Sequence, residues 1–392
     1  MKNLLQNRNA LLLGALVLIG LAFEFLTRDA QNSFLSARSI STIFMQASVI
    51  GVLACGMTYI IILRHIDLSV GSALAFLGAL AAWLMAPRAE PVDPQLAELG
   101  FDLSSNVPTG MALNAPAAIG TVFLVGLILW GLKGCLQVRT GMPAFIITLG
   151  GMMGYRGLSY LIAKREIPIA DDNLVARVGT EYLDLRLGWI VLVLLIAATV
   201  VQLLKDRRNL LAAVPFLLLA GGVWFLQAPH EGIGEETRGL AYVTCVWAVT
   251  ALVTASLAQN TVYGRHMYAA GGNPEAARLC GINVSRVNVI AFLIMGLLSA
   301  LAAMIYLGQQ GTAESSAGQL AELDAIAACV IGGVSLQGGK GNISGTVLGT
   351  LIMQSLTSGL YQCNVESGYQ MLIKAGVLIG VVAMDHVLSK KA

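Results

Sequence analysis

Charge is scarce in this chain. Only 12% of its 392 residues are Asp, Glu, Lys or Arg, about half the share that covers the surface of a soluble domain. The net charge of +2 offers nothing to the phosphates of a nucleic acid. Proline and serine are not in excess, which excludes low-complexity disorder. The six cysteines (Cys55, Cys135, Cys245, Cys280, Cys329 and Cys363) are scattered, with no C-x-x-C spacing. That excludes a metal cluster or a disulfide framework and leaves cysteine as a small hydrophobe. No G-x-x-x-x-G-K-[ST] phosphate loop is present, so the chain has nothing with which to hold ATP. No cofactor and no metal is expected.

What the chain has is apolar length. Hydrophobic residues make up 56% of it, and 43 glycines supply the small contacts that close helix packing in lipid requires. A helix needs about 20 apolar residues to cross a bilayer. Such runs lie at 10–27, 45–64, 71–87, 116–133, 143–163, 188–204, 210–227, 241–262, 287–308, 343–362 and 369–388. A shorter run at 323–337, rich in Ala and Gly and opened by Glu322 and Asp324, either crosses or enters as a half-helix buried in protein. The fold expected is an all-α polytopic membrane protein of about 10–12 transmembrane helices, a single domain over 1–392 with no separate soluble part. The first run, flanked by Lys2 and Arg8 and followed by no small-residue cleavage site, reads as a span and not as a signal peptide.

Placing both termini in the cytoplasm puts about fourteen Lys and Arg on inner segments, among them Arg64 and Lys133 at span boundaries, and about eight outside. Outer loops are acidic instead, with Glu90, Asp93, Glu98 and Asp102 in one. That loop, 88–115, is proline-rich and reads as extended. Trp83, Trp130, Trp189, Trp224 and Trp247 fall near span ends, where interfacial anchors sit. Arg156 and Lys374 lie in apolar runs. Each is a functional candidate, or a residue close enough to a span end to reach water with its head group.

The most informative polar stretch is 263–286, on the cytoplasmic side in this layout. Asn273 suits an N-cap and Pro274 the first helical position, where a missing N–H is no loss. Glu275 complements the helix dipole, and Ala276, Ala277 and Arg278 are helix formers. Gly281 suits a stop. The result is a helix of two turns, too short to stand alone and therefore held against something, or else an ordinary connector.

The stretch Gly272-Asn273-Pro274-Glu275-Ala276-Ala277-Arg278-Leu279-Cys280-Gly281 resembles the Glu-Ala-Ala loop of ABC-importer permeases, in the form found in the ribose, galactoside and xylose permease family. Further stretches match the same family in order. They are Phe34 to Ile40, Ile66-Asp67-Leu68-Ser69-Val70-Gly71-Ser72, Pro143 to Gly150 with Tyr155-Arg156-Gly157, and Glu322 to Gly333 running into Gly338-Gly339-Lys340-Gly341. The additional hairpin at 188–227, turning at 205–209, is similar to the longer layout of xylose-type permeases and their multiple-monosaccharide relatives.

The resemblance implies the membrane subunit of an ATP-driven monosaccharide importer in the cell inner membrane. Its partners would be a cytoplasmic ABC ATPase, a periplasmic sugar-binding protein, a second permease copy and the lipid bilayer, with no nucleic acid. Residues 272–278 and Gly281 would couple to the ATPase, Glu275 and Arg278 by contact and Gly281 by permitting a sharp exit.

Asp67, Ser69 and Gly71 form either a polar break near the translocation pathway or a cap on the helix that starts near Val70. Asp324 has the same two readings at the start of its segment, while Gly332 and Gly333 would let backbones approach or bend. The rival function is an ion-coupled secondary sugar transporter. It would need carboxylates or histidines in the middle of spans, whereas His65, His230, His266 and His386 all lie near boundaries. A channel filter and an enzyme constellation are equally missing.

Overall fold

The apolar runs form helices in the computed structural model of the chain, which describes residues 8–27, 33–87, 110–183 and 240–389, with 188–190, 193, 196, 197 and 200. In chain order the elements begin with α1 (Arg8–Thr27), α2 (Ala37–Ile62), α3 (Val70–Met85) and α4 (Ala115–Thr140). Next come α5 (Ala144–Ile162), strand β1 (Ile167–Pro168) and the short α6 (Leu174–Thr180). They are followed by α7 (Tyr242–Asn260), α8 (Val262–Gly272), α9 (Pro274–Leu279) and α10 (Val284–Gln310). Strand β2 (Thr312–Ala313), α11 (Ala321–Ile331), α12 (Ile343–Gln362) and α13 (Ser367–Ser389) complete the series. Most of the expected hairpin at 188–227 and of the loop at 88–115, with Trp224 and His230, lies outside the described residues.

The helices α2, α4, α7 and α10 are each long and apolar enough to cross a membrane, and Leu11–Thr27 and Val70–Met85 are shorter apolar helices. Among the described residues the strands amount to two residues each, β1 and β2 pairing antiparallel with Ile167 opposite Ala313. This is an all-α polytopic membrane fold. The run expected at 323–337 yields a helix only over Ala321–Ile331. At 1.5 Å per residue it is about 16 Å long, far less than the ~30 Å hydrocarbon core.

Helix α4 shows how these elements differ from those of a soluble protein. Leu124, Ile128, Leu132 and Leu136, spaced four apart, are exposed along one stripe, while Val122, Gly126, Trp130 and Lys133 are buried on the other side. Apolar residues outward and a cation inward is the arrangement lipid favours, because an intramembrane charge faces protein.

The chain divides into two compact units. The first gathers the described residues of 1–65, 182–288 and 323–392. Its centre is α2, buried on every side from Gly51 to Leu63 and packed by α12 and α7, with α1 against α12. A helix apolar all round is a core helix, and in this stretch the hydroxyls of Thr58 and Tyr59 are bonded. Thr58 bonds the carbonyl of Ala54 at 2.9 Å and the hydroxyl of Thr346 at 2.8 Å. Trp247 does not act as an interfacial anchor. It is fully buried, because Gly51 leaves room on α2 that any Cβ would take from the indole ring.

The second unit holds the described residues of 66–181 and 289–322. Here α3 packs against α5 and α4. A Cβ built on Gly126 of α4 would stand 2.9 Å from the carbonyl oxygen of Gly296 on α10, so the two backbones touch, as small residues allow in lipid. Arg156 is drawn inward and not to a span end. Its guanidinium donates to the carbonyls of Ser315 at 2.7 Å and Ala317 at 2.9 Å.

Candidate functional site

In the first unit, the residues expected to couple form a short helix with both ends closed. The side chain of Asn273 accepts from the amides of Glu275 at 3.1 Å and Ala276 at 3.0 Å. Pro274 occupies the first turn, Glu275 sits there as its acid, and Arg278 lies in the last turn. Gly281 has φ +82°, a left-handed conformation that turns the chain away from the helix at little cost only for glycine. Ala277 is buried and anchors α9, whereas Glu275, Ala276 and Arg278 are exposed and Leu279 is 90% exposed. The preceding residues 263–272, read from the sequence as part of the polar stretch 263–286, lie in α8. Thr261 starts it, its hydroxyl accepting from the amide of Gly264 at 3.1 Å.

A loop from the C-terminal part of the chain holds this helix pair. Gly339 donates its amide to the carbonyl of Ile62 at 2.9 Å, and the hydroxyl of Tyr268 donates to the carbonyl of Gly341 at 2.8 Å. Arg64 completes the latch, donating from Nε to the carbonyl of Gly271 at 2.7 Å and from Nη2 to the carbonyl of Gly272. It does so from φ +66°, where a glycine would ordinarily close a helix. Tyr268 is raised above the usual tyrosine range by burial, so its hydroxyl stays a donor. Sequence reasoning placed Arg64 only as a boundary charge; an arginine at the position of a helix-terminating glycine was the signal it passed over.

Elsewhere in the first unit, Asp324 is the fourth residue of α11, in the opening turn where an acid complements the helix dipole. It pairs with Lys374 at 3.1 Å, both side chains about three-quarters covered, which also draws Lys374 away from solvent. Gly332 faces the backbone of Gly345 on α12 and Gly333 turns with φ +95°. Nothing brings these residues together with 272–281.

The second unit contains a buried polar centre at Asp67, which is 0% exposed. One carboxylate oxygen accepts from the indole N–H of Trp130 at 2.7 Å and from Lys133 Nζ at 3.3 Å. The other accepts from the amide and hydroxyl of Ser69 at 2.9 and 2.6 Å, and Lys133 also donates to that hydroxyl at 2.6 Å. The ammonium lies 3.4 Å from the centre of the Trp130 ring, and Tyr155 stacks on the same ring at 5.9 Å between centroids. Thr148 fixes the approach, accepting from the amide of Leu68 and donating to the carbonyl of Ile66, both at 3.2 Å. Ser69 stands at the head of α3 but makes no side-chain cap bond, its hydroxyl being taken by Asp67 and Lys133. Gly71 abuts Glu322 and Gly318, leaving no room for a Cβ.

Two expectations are corrected here. Lys133, placed on an inner polar segment by its charge, lies within α4 and is 6% exposed, because the carboxylate and the indole face offset the cost of burying it. Trp130, expected at an interface, is fully buried, because its N–H has a buried acceptor. The centre is closed by its own groups, so it binds and orients segments of the chain.

Comparison with known proteins gives a coherent result. The family model described as branched-chain amino acid transport system / permease component matches residues 39–382. The xylose transport system permease protein XylH of Escherichia coli K12 is 33% identical over 387 residues, covering 94% of this chain and 90% of that protein. XylH of Haemophilus influenzae is 33% identical over 392 residues, 96% of each chain. The ribose import permease protein RbsC of Escherichia coli K12 is 33% identical over 356 residues, 90% of this chain and 87% of that protein. No solved structure matches.

Proposed function

The chain belongs to the branched-chain amino acid transport system / permease component family, and from that premise we propose that it is the membrane-spanning subunit of an ABC importer for a monosaccharide, xylose or a related pentose or hexose. It sits in the inner membrane with both termini in the cytoplasm and serves over 1–392 as a single permease domain. A periplasmic sugar-binding protein delivers the sugar. A cytoplasmic ATPase subunit hydrolyses ATP. Two copies of this chain, each contributing its helices, form the pathway.

The observation that carries the reading is α9. Six residues cannot hold a helix in water unaided, yet Asn273 caps this one, Gly281 stops it and Ala277 anchors it. Its long side chains, Glu275, Arg278 and Leu279, are exposed. A rigid exposed projection of this kind transmits force to the helices it joins. Closing of the ATPase pair would pull on it and switch access between the two sides. Glu275 and Arg278 contact the ATPase in this scheme.

Asp67, Ser69 and Gly71, with Asp324, Gly332 and Gly333, are the proposed hinge and helix-break positions of the moving parts. An ion-coupled carrier would instead need a carboxylate open to an ion; the oxygens of Asp67 are taken up by Trp130, Lys133 and Ser69.

The test is reconstitution of the chain with its ATPase and binding protein in vesicles, assayed across a panel of pentoses and hexoses. ATPase activity stimulated by one sugar-loaded binding protein is the expected result. Uphill sugar accumulation by vesicles carrying this chain alone, without nucleotide, would overturn it.

A further inference from the structure

We propose that the ATPase subunit grips this chain at two adjoining places, α9 and the groove formed by Arg64 with the glycine loop at 335–341, and that the second place receives an acidic edge of the ATPase. The inference rests on the reading of the chain as an ATPase-driven permease and adds a docking surface to it.

The groove encloses about 570 Å³ and is lined by Arg64, Gly272 and the loop from Ser335 to Lys340. It is contiguous with α9, since Gly272 in its wall immediately precedes the N-cap Asn273. Gly339 rests on Gly272 so closely that a Cβ on it would lie 2.6 Å from the Gly272 Cα. The loop is a built structure. Ser335 donates its amide to the carbonyl of Lys340 at 3.0 Å, and Gly338 donates its amide to Ser335 at 2.9 Å. Gly338 and Gly339 hold φ of +80° and +70°. With Arg64 also left-handed, the strain of a non-glycine residue there, about 1–3 kcal/mol, is retained at a surface position. Surrounding structure must over-determine it, and the guanidinium bonds to Gly271 and Gly272 do so.

Charge names the occupant. Arg64, just past α2, and Lys340 line the groove and are exposed. Arg265 on α8, Arg278 on α9 and Arg286 at the head of α10 are exposed as well. Within 262–286 and 335–341, Glu275 is the one acid. Like charges repel one another and cost stability, so the two cations held in the wall of a structured groove, Arg64 and Lys340, fit a partner of opposite sign. Leu336, exposed between the cations, and Leu279, exposed on α9, supply the apolar contacts that rim charges alone do not. An acidic protein edge meets both requirements at once.

The test uses the co-purified complex of full-length chain and ATPase, with a photo-crosslinking benzophenone amino acid in place of Leu279 or, separately, of Leu336. The expected result is crosslinking to the ATPase from both positions. Crosslinking from 279 alone, or capture of phospholipid at 336, overturns the second docking place and leaves the permease reading standing. Capture at neither position overturns both docking places, while co-purification with the ATPase leaves the permease reading standing.

Charge gives an independent readout. Lys340→Glu should slow association with the ATPase by about three- to tenfold at low ionic strength. The effect should vanish in about 1 M salt, where the Debye length is ~3 Å, and Lys340→Arg should associate like the wild type. An association rate unchanged by Lys340→Glu at low salt overturns the acidic partner edge.

Discussion

Asp67 and Lys133, separated by 66 residues in the chain, meet as an ion pair at 3.3 Å with side-chain exposures of 0% and 6%. Removing one member of such a pair leaves an uncompensated buried charge, which costs about 3–5 kcal/mol, whereas replacing both by apolar groups is often neutral. Lys133→Met alone and Asp67→Leu alone should each lower the thermal unfolding midpoint of the detergent-solubilised protein sharply. The double variant should recover most of the loss. Strictly additive losses in this cycle would mean that the two charges do not stabilise one another.

The meeting of Gly126 and Gly296 predicts a change of sign for one substitution. Ala is intrinsically better than Gly inside a helix by about 0.5–1 kcal/mol. At Gly120, where a new Cβ finds nothing within 4 Å, Gly→Ala should therefore raise stability slightly. At Gly126 the same Cβ would press on a backbone carbonyl at 2.9 Å, and overpacking of about 1–3 kcal/mol should prevail. Equal shifts in unfolding midpoint for the two variants would contradict the close approach of α4 and α10.

These two contacts also show what a sequence can and cannot disclose. Hydropathy is local, and the apolar run 343–362 coincides with α12 residue for residue. Helix punctuation is local as well, so Asn273, Pro274 and Gly281 were legible as the ends of α9. The pairing of Lys133 with Asp67 was not, because a lone lysine near the end of an apolar run has the same local signature whether it reaches water or a buried carboxylate. Trp130 and Trp247 misled for a related reason. A tryptophan is buried or interfacial according to what faces it, and Gly51, opposite Trp247, lies nearly 200 residues away. Helix α8 escaped notice because Gly264, Gly271 and Gly272 break its apolar periodicity. Its helicity comes from packing and from the Thr261 cap.

His65 gives a pH dependence of defined sign. Burial pushes its pKa below the ordinary 6.5, and a hydrogen bond with Asn288 only partly opposes this. The unfolded chain therefore binds the proton more readily than the folded one. The resulting stability is present above about pH 6.5 and is lost as pH falls toward the depressed folded value. His65→Gln should lose less melting temperature than the wild type between about pH 7.5 and about pH 5.5. Parallel losses in the two proteins would remove His65 as the source.

Helix α9 is the place where local stability and transport meet. Asn273→Ala removes the acceptor for the Glu275 and Ala276 amides and should cost about 1 kcal/mol. Gly281→Val forces a β-branched residue to φ +82°, a further cost of about 1–2 kcal/mol. A six-residue helix has little to spare, so either variant should speed hydrogen exchange across 274–281 while leaving exchange in α2 unchanged. Gly281→Asn, which tolerates the left-handed region, should restore protection. If α9 couples ATP hydrolysis to sugar movement, uptake must follow exchange through this series, falling in the first two variants and returning in the third. Glu275→Lys separates shape from contact, because it leaves the cap and the exit intact. Reversing the first-turn charge costs only about 0.3–1 kcal/mol, so exchange should rise less than in Gly281→Val while ATPase association falls. Full association and uptake in both Gly281→Val and Glu275→Lys would show that the helix is a connector, and that the force enters the chain elsewhere.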